Sequence, residues 1–244
     1  MVIWLFAGGG EAELGNREAN IRGIDGFLTK HFPNYSFERK TPVRQKRLPP
    51  NVIKHNSMNA LGKTSNSLAE QIKIKLNDAI KYNNPLCDAI LILDDLDCSC
   101  ANKRSELFTA TINSIEPFNT IKTIIAFAAP ELESWIIADW HNTIAKHHDF
   151  AENQQAMSVW LSQQGVMFNA PESFSYYNAS KKSCHEKLSE LLIESSIQKN
   201  TNKPIYSKAK HTPVLLYDTL KVDIVAQKCP LFNSFFSQLQ SLTA

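Results

Sequence analysis

The chain reads as an α/β protein with a mostly parallel central sheet flanked by helices and a helical C-terminal extension. Three continuous apolar runs predict buried strands, at residues 2–7, 88–93 and 121–128. Two segments with helical spacing lie between the first and second runs and another follows the third, an order that argues for a mostly parallel sheet. At 244 residues and 43% apolar content the chain can bury a sizeable core. A core at residues 1–145 and a mainly helical part at 146–244, packed on it, is the expected organisation.

The first run, VIWLFA, ends in Gly8, Gly9 and Gly10, a turn whose backbone can approach a neighbour closely. Residues 16–31 place Ile21, Ile24, Phe27 and Leu28 on one helical face. Residues 39–50 read as a basic loop broken by Pro42, Pro49 and Pro50, with Arg39, Lys40, Arg44, Lys46 and Arg47 able to meet phosphate. Leu68, Ile72, Leu76 and Ile80 recur every four residues and predict a helix over 65–82. The second run leads into Asp94-Asp95-Leu96-Asp97. After the third, Pro130 opens a helix that carries Glu131 and Glu133 in its first turn and runs apolar on several faces to about His148. The rest reads as helical around 183–193, 213–226 and 231–242. Tyr206 to His211, preceded by Pro204, reads as a loop.

Composition excludes several classes. A net charge of +2 gives no bulk attraction to a polyanion, so any nucleic-acid contact must be local. No stretch reaches the roughly 20 apolar residues that span a bilayer. The N-terminus lacks the charged start of a secretory signal, and five cysteines, an odd number, read as free thiols in a reducing cytoplasm. Cys98, Cys100, Cys184 and His185 are not spaced as a standard zinc site. His147 and His148 read as a helix end or a solvated face. Nucleotide loops fail on residue identity. A dinucleotide fingerprint needs glycine where Glu13 stands, and a P-loop ending at Lys63-Thr64 needs glycine where Ser57 stands.

The acidic cluster carries the chemistry. Acids at the carboxyl end of a buried strand lie where open α/β sheets bind ligands. In extended chain Asp95 and Asp97 face one way about 7 Å apart, which suits a hard cation. A solvated turn with capping aspartates is the plainer alternative. Glu133 and Asp139, six residues apart, point to different sides of their helix.

Four segments, FAGGGEAE, LILDDLD, PELESWIIAD and YSKAKH, in this order and with CPLFNSFFSQLQ closing the chain, resemble a Toprim-like family of bacterial proteins. That family is related to the nuclease domain of overcoming-lysogenization-defect proteins and, more distantly, to topoisomerases and primases. The resemblance implies a Toprim-like sheet whose strand-end acids bind Mg²⁺ or Mn²⁺ and cleave phosphodiesters. It implies metal ligands at Glu11, Asp95 and Asp97, with Asp94 an alternative, and catalytic roles for Glu133 and Lys208. Gly8, Gly9, Gly10, Tyr206, Lys210 and His211 would contact substrate. Ala7 stands where the family's first strand ends in glutamate, so the resemblance implies an inactivated form, natural or introduced. It further implies a nuclease effector in defence against phage or plasmids, encoded beside an ATPase partner and acting on DNA or RNA. The alternative is a non-catalytic Toprim-scaffold protein that binds an ATPase or nucleic acid. A homodimer is compatible with either.

Overall fold

A computed structural model describes residues 1–15, 22–42, 63–84, 86–198 and 202–243, the side chains of Glu11, Ala12 and Thr243 excepted. The chain is α/β. Strands β1 (Val2–Ala7), β2 (Ser36–Thr41), β3 (Ala89–Asp95) and β4 (Lys122–Ala128) form one all-parallel sheet in the order β2-β1-β3-β4. Helices α1 (Glu11–Leu14) and α2 (Gly23–His31) connect β1 to β2. Helix α3 (Ser65–Lys81) precedes β3, and α4 (Ala101–Asn113) lies between β3 and β4.

Alternation along each strand divides the apolar residues between two layers. Ile3, Leu5, Ala7, Leu91, Leu93, Ala126 and Ala128 face a layer that includes α2. Trp4, Phe6, Ile90, Ile92 and Phe127 face α3 and α4 through Leu68, Ile72, Phe108 and Ile112. The same parity sends Asp95 to the first layer and Asp94 to the second.

The first layer is completed by the C-terminal half: α5 (Glu133–Ala138), α6 (Gln154–Gln163), a short hairpin of β5 (Tyr177–Asn178) and β6 (Ser183–Cys184), then α7 (Leu188–Ser195), α8 (Lys208–Val214), a π-helical turn (Leu215–Thr219), α9 (Val222–Lys228) and α10 (Pro230–Gln240). One apolar cluster runs from Ile3 of β1 through Trp135 of α5 to Phe232 and Leu239 of α10, so the C-terminal residues share the core of the sheet. No helix among the described residues is long and apolar enough to cross a membrane.

Several expectations need correction. Residues 36–41 form an edge strand rather than the start of a loop, because Phe37 and Thr41 face inward while Glu38 and Lys40 face outward. The helix after Pro130 begins at Glu133 and stops at Ala138, where Asp139 turns the chain by bonding Asn142 and the Lys221 amide. Residues 208–211 are helical, not extended, so Lys208 and Lys210 do not share a face by strand alternation. Nor are all five cysteines free thiols: Cys98 and Cys184 form a disulfide, leaving Cys87, Cys100 and Cys229. Arg44, Lys46 and Arg47, the residues 16–21 of the expected second helix, and Leu61-Gly62 lie outside the described residues.

Candidate functional site

The carboxyl edge of the sheet gathers acids from three segments of chain. Asp95 ends β3. Glu13 comes from α1, one turn after the glycines that follow β1. Glu131 and Glu133 come from the turn and helix that follow β4, and both are buried. Into their midst, from the N-terminus of α8, reaches Lys208. Its Nζ lies 2.6 Å from Glu13 Oε1, 3.4 Å from Glu133 Oε2 and 4.0 Å from Glu131 Oε2. Thus one ammonium, about a third exposed, faces carboxylates that are nearly all out of solvent.

Crowding of like charge away from water sets the titration. Burial pushes Asp95 well above the carboxylate range, and Glu13, Glu133 and Glu131 add to the rise while Lys208 opposes it. Burial likewise raises Glu133 to about 7, against the pull of Lys208. For Lys208, burial lowers the pKa, but Glu133, Glu13 and Asp95 outweigh it and hold the ammonium charged. Glu133 Oε1 accepts from the Thr212 hydroxyl at 3.2 Å. Glu133 Oε2 and Glu131 Oε1 are buried without a hydrogen-bond donor, so both have unfilled capacity to coordinate a cation.

Ala7 lies in register with Leu93, two residues before Asp95 on the same face. Its methyl lines a cavity of about 10 Å³ together with Glu13, Asp95 and Leu132. That volume is no more than one water needs. Ala7, Asp95, Glu133 and Lys208 therefore belong to one site. The side chain of Glu11 lies outside the described residues, and Glu13 occupies the position beside β1.

Asp94 and Asp97 do different work. Asp94 Oδ2 accepts from Arg104 at 2.5 Å and from the Ser65 amide at 3.1 Å, which ties α4 and the start of α3 to the strand end. Burial nevertheless raises Asp94 to about 6. It lies on the opposite face from Asp95, where ion pairing and capping use it. Asp97 follows the end of β3 in a left-handed conformation, φ 49°, so the extended pair with Asp95 does not form. Burial raises its pKa; Lys187 opposes the rise and Glu131 adds to it. Asp97 thus borders the cluster from the Glu131 side.

Two of the glycines are small for packing reasons. A Cβ at Gly8 would overlap Asp94 Oδ1, and one at Gly9 would overlap Glu13 Oε2, while Gly10 has open space. The Gly8 amide bonds Leu93 O at 2.8 Å and the Gly10 amide bonds Glu13 Oε2 at 3.1 Å, so both N–H groups are engaged within the protein. Tyr206 is buried, with its hydroxyl 2.7 Å from that of Thr212, beside Glu133 rather than at the surface. Lys210 and His211 point away from the acids to Asp149.

Comparison with family models, curated proteins and solved structures finds no match.

Sequence reasoning missed Glu13, Glu131 and Arg104. The signal for Glu13 was present: an acid three residues after Gly10 can turn back and cap that amide, which aims it at the strand end. Glu131 was seen only as a helix-dipole residue.

The donor set fits a hard divalent cation. Its ligands would be carboxylate oxygens of Asp95, Glu13, Glu131 and Glu133, two of them with undonated buried oxygens. Among the described residues, no three of these carboxylates bring oxygens within 4.8 Å of one another. They are spread around the ammonium. A cation would bind by exchanging with Lys208, whose partial exposure leaves it a way out.

Proposed function

We propose that this chain is a Toprim-like, divalent-cation-dependent phosphodiesterase, with Mg²⁺ or Mn²⁺ as its cofactor and nucleic acid as its substrate. The observation that carries the reading is the meeting of Glu13, Asp95, Glu131 and Glu133 around Lys208 at the carboxyl edge of a parallel sheet. Such an edge is where open α/β sheets bind ligands. A bound cation there supplies an activated water and offsets charge developing on the phosphoryl oxygens.

The chain's own residues supply the rest. Asp95, Glu13 and Glu131 hold the cation. Lys208, released from the carboxylates, is a mobile point charge within reach of a phosphate. Glu133, whose Oε2 is buried without a donor, is the fourth ligand and must ionise to bind the cation. Asp94 and Arg104 tie α4 to the end of β3 from the other face of the sheet.

A glutamate at position 7 would add a carboxylate beside Glu13 and Asp95. The expected result of Ala7→Glu is tighter Mn²⁺ binding and Mn²⁺-dependent cleavage of DNA or RNA. Adding Lys208→Ala should abolish that cleavage without loss of Mn²⁺ binding. Unchanged Mn²⁺ affinity in Ala7→Glu, or full activity in the double variant, would remove the basis for these roles.

A second reading, a non-catalytic Toprim-scaffold protein that binds an ATPase or nucleic acid, is favoured by Ala7 and by the ammonium seated among the acids. It expects no Mn²⁺ binding at the acids even in Ala7→Glu. Action with an ATPase partner in defence against phage or plasmids rests on the resemblance of the sequence motifs alone.

A further inference from the structure

Away from the acids, a second group of ligating side chains converges from two separate segments. His147, His148 and Asp149 form the connection before α6, and one ring nitrogen of each histidine and a carboxylate oxygen of Asp149 all lie within 4.8 Å of one another. The His147 and His148 rings stack with centroids 4.5 Å apart. His148 Nε2 is 3.0 Å from Asp149 Oδ1. From α8, His211 presents Nε2 at 3.0 Å from Asp149 Oδ2, and its ring meets His147 edge-on at 5.5 Å.

We propose that His147, His148, Asp149 and His211 form a second metal site, for a borderline first-row divalent ion of the zinc type, which pins α8 to the chain before α6. Three imidazoles and one carboxylate make a four-ligand set suited to zinc and unsuited to Mg²⁺, which prefers oxygen. All four positions come from protein, so the site is structural rather than catalytic.

The geometry prepares it. His211 is 1% exposed, and its Nδ1 is held by Ser207, whose amide lies at 2.9 Å and whose carbonyl lies at 3.2 Å. The Ser207 amide donates to Nδ1, so without an ion Nε2 carries the proton and donates to Asp149 Oδ2. An ion takes that place once the proton sits on Nδ1 and is donated to the Ser207 carbonyl, the orienting arrangement that metal-bound histidines share. His148 is 86% exposed, yet it is turned onto Asp149. A tetrahedral ion holds its ligand atoms about 3.3 Å apart, so the exposed His148 and half-buried His147 must turn toward the buried His211, which lies outside their 4.8 Å group. One competitor must leave: Lys210 Nζ is 2.6 Å from Asp149 Oδ2, and at 67% exposure it can turn into solvent.

The consequence reaches the first site. His211 lies one helical turn after Lys208 on α8, so an ion bound here fixes the helix that delivers Lys208 to the acids.

Chelator-stripped full-length protein titrated with ZnCl₂ by calorimetry, and with CoCl₂ by visible absorption, tests this. The expected result is one equivalent of Zn²⁺ that excess Mg²⁺ does not displace, and the intense visible bands of tetrahedral Co²⁺. His147→Ala/His148→Ala, which removes only side chains outside the core, should lose more than about 100-fold in Zn²⁺ affinity, beyond the roughly 10–100-fold that an orienting neighbour costs. Lys210→Ala should bind Zn²⁺ more tightly, and Glu133→Gln, in the other site, should bind it as the parent does. The proposal is overturned if the parent binds no Zn²⁺, if the double histidine variant binds it equally well, or if Glu133→Gln is the variant that loses it.

Discussion

Replacing Lys208 with methionine keeps the length of the side chain and removes the charge. Its Nζ lies 2.6 and 3.4 Å from Glu13 and Glu133, and Glu133 is fully buried. Removing one partner of a buried ion pair costs about 3–5 kcal/mol. Because Lys208 is about a third exposed, solvent screening places the cost near the lower end, about 3 kcal/mol. For a chain of this length, that lowers Tm by about 6–12 °C. The loss must depend on pH. In the folded parent Glu133 holds its proton up to about 7, against 4.5 for an ordinary glutamate. Between those values the folded state binds a proton that the unfolded state has released, so stability falls as pH rises through the window. Without the ammonium, Glu133 and Asp95 titrate still higher and the fall is deeper. Lys208→Met should therefore cost little near pH 5 and most near about pH 8. A divalent cation should reverse it, since binding at about 100 times Kd returns roughly 2.7 kcal/mol. Thermal melts by circular dichroism at both pH values, with and without Mn²⁺, measure this. A Tm drop that is equal at both pH values, or one that Mn²⁺ does not lessen, would refute the reasoning.

Glu133→Gln removes the group that titrates near pH 7, so its urea-derived stability should fall less than the parent's between about pH 4.5 and 7; the parent's fall from this one group is up to about 3 kcal/mol at 1.36 kcal/mol per unit. Parallel profiles would rule out the assignment. Arg104→Met strands the buried Asp94 carboxylate and should cost about 3–5 kcal/mol in urea. It should leave Mn²⁺ affinity unchanged, because Asp94 lies on the other face of the sheet from Asp95. Thiol titration of the denatured, unreduced protein should find Cys87, Cys100 and Cys229 alone, and reduction should release Cys98 and Cys184; five reactive thiols before reduction would contradict the pairing.

The three apolar strands were legible because a strand buried on both faces leaves a continuous run, as VIWLFA and AILIL do. β2 was not, since SFERKT is an edge strand with charged residues outward, and it reads as polar chain. α4 was missed because Phe108 and Ile112 are too few to mark a helical face. The reach of α5 was overestimated, as its apolar character reflects burial on all sides rather than length. Pro204 made residues 206–211 look like loop with the next helix opening at Pro213, whereas Pro213 lies within the helix that Lys208 begins. In the site, the acids at β3 and on ESWIIAD were visible as types in a pattern. Which of Asp94, Asp95 and Asp97 meets the others was not, because it depends on strand parity and on a left-handed residue just beyond the strand. The convergence of Lys208 with acids from three other segments follows only from tertiary packing.

The central claim is that Glu13, Asp95, Glu131 and Glu133 form a cation site in exchange with Lys208. Mn²⁺ titration followed by electron paramagnetic resonance, at a pH above about 7 where Glu133 is ionised, tests it most directly. The parent should bind Mn²⁺, Lys208→Met should bind it more tightly, and Glu13→Gln/Glu133→Gln should lose it, with His147→Ala/His148→Ala unchanged. Equal Mn²⁺ binding by the parent and by Glu13→Gln/Glu133→Gln would contradict the claim.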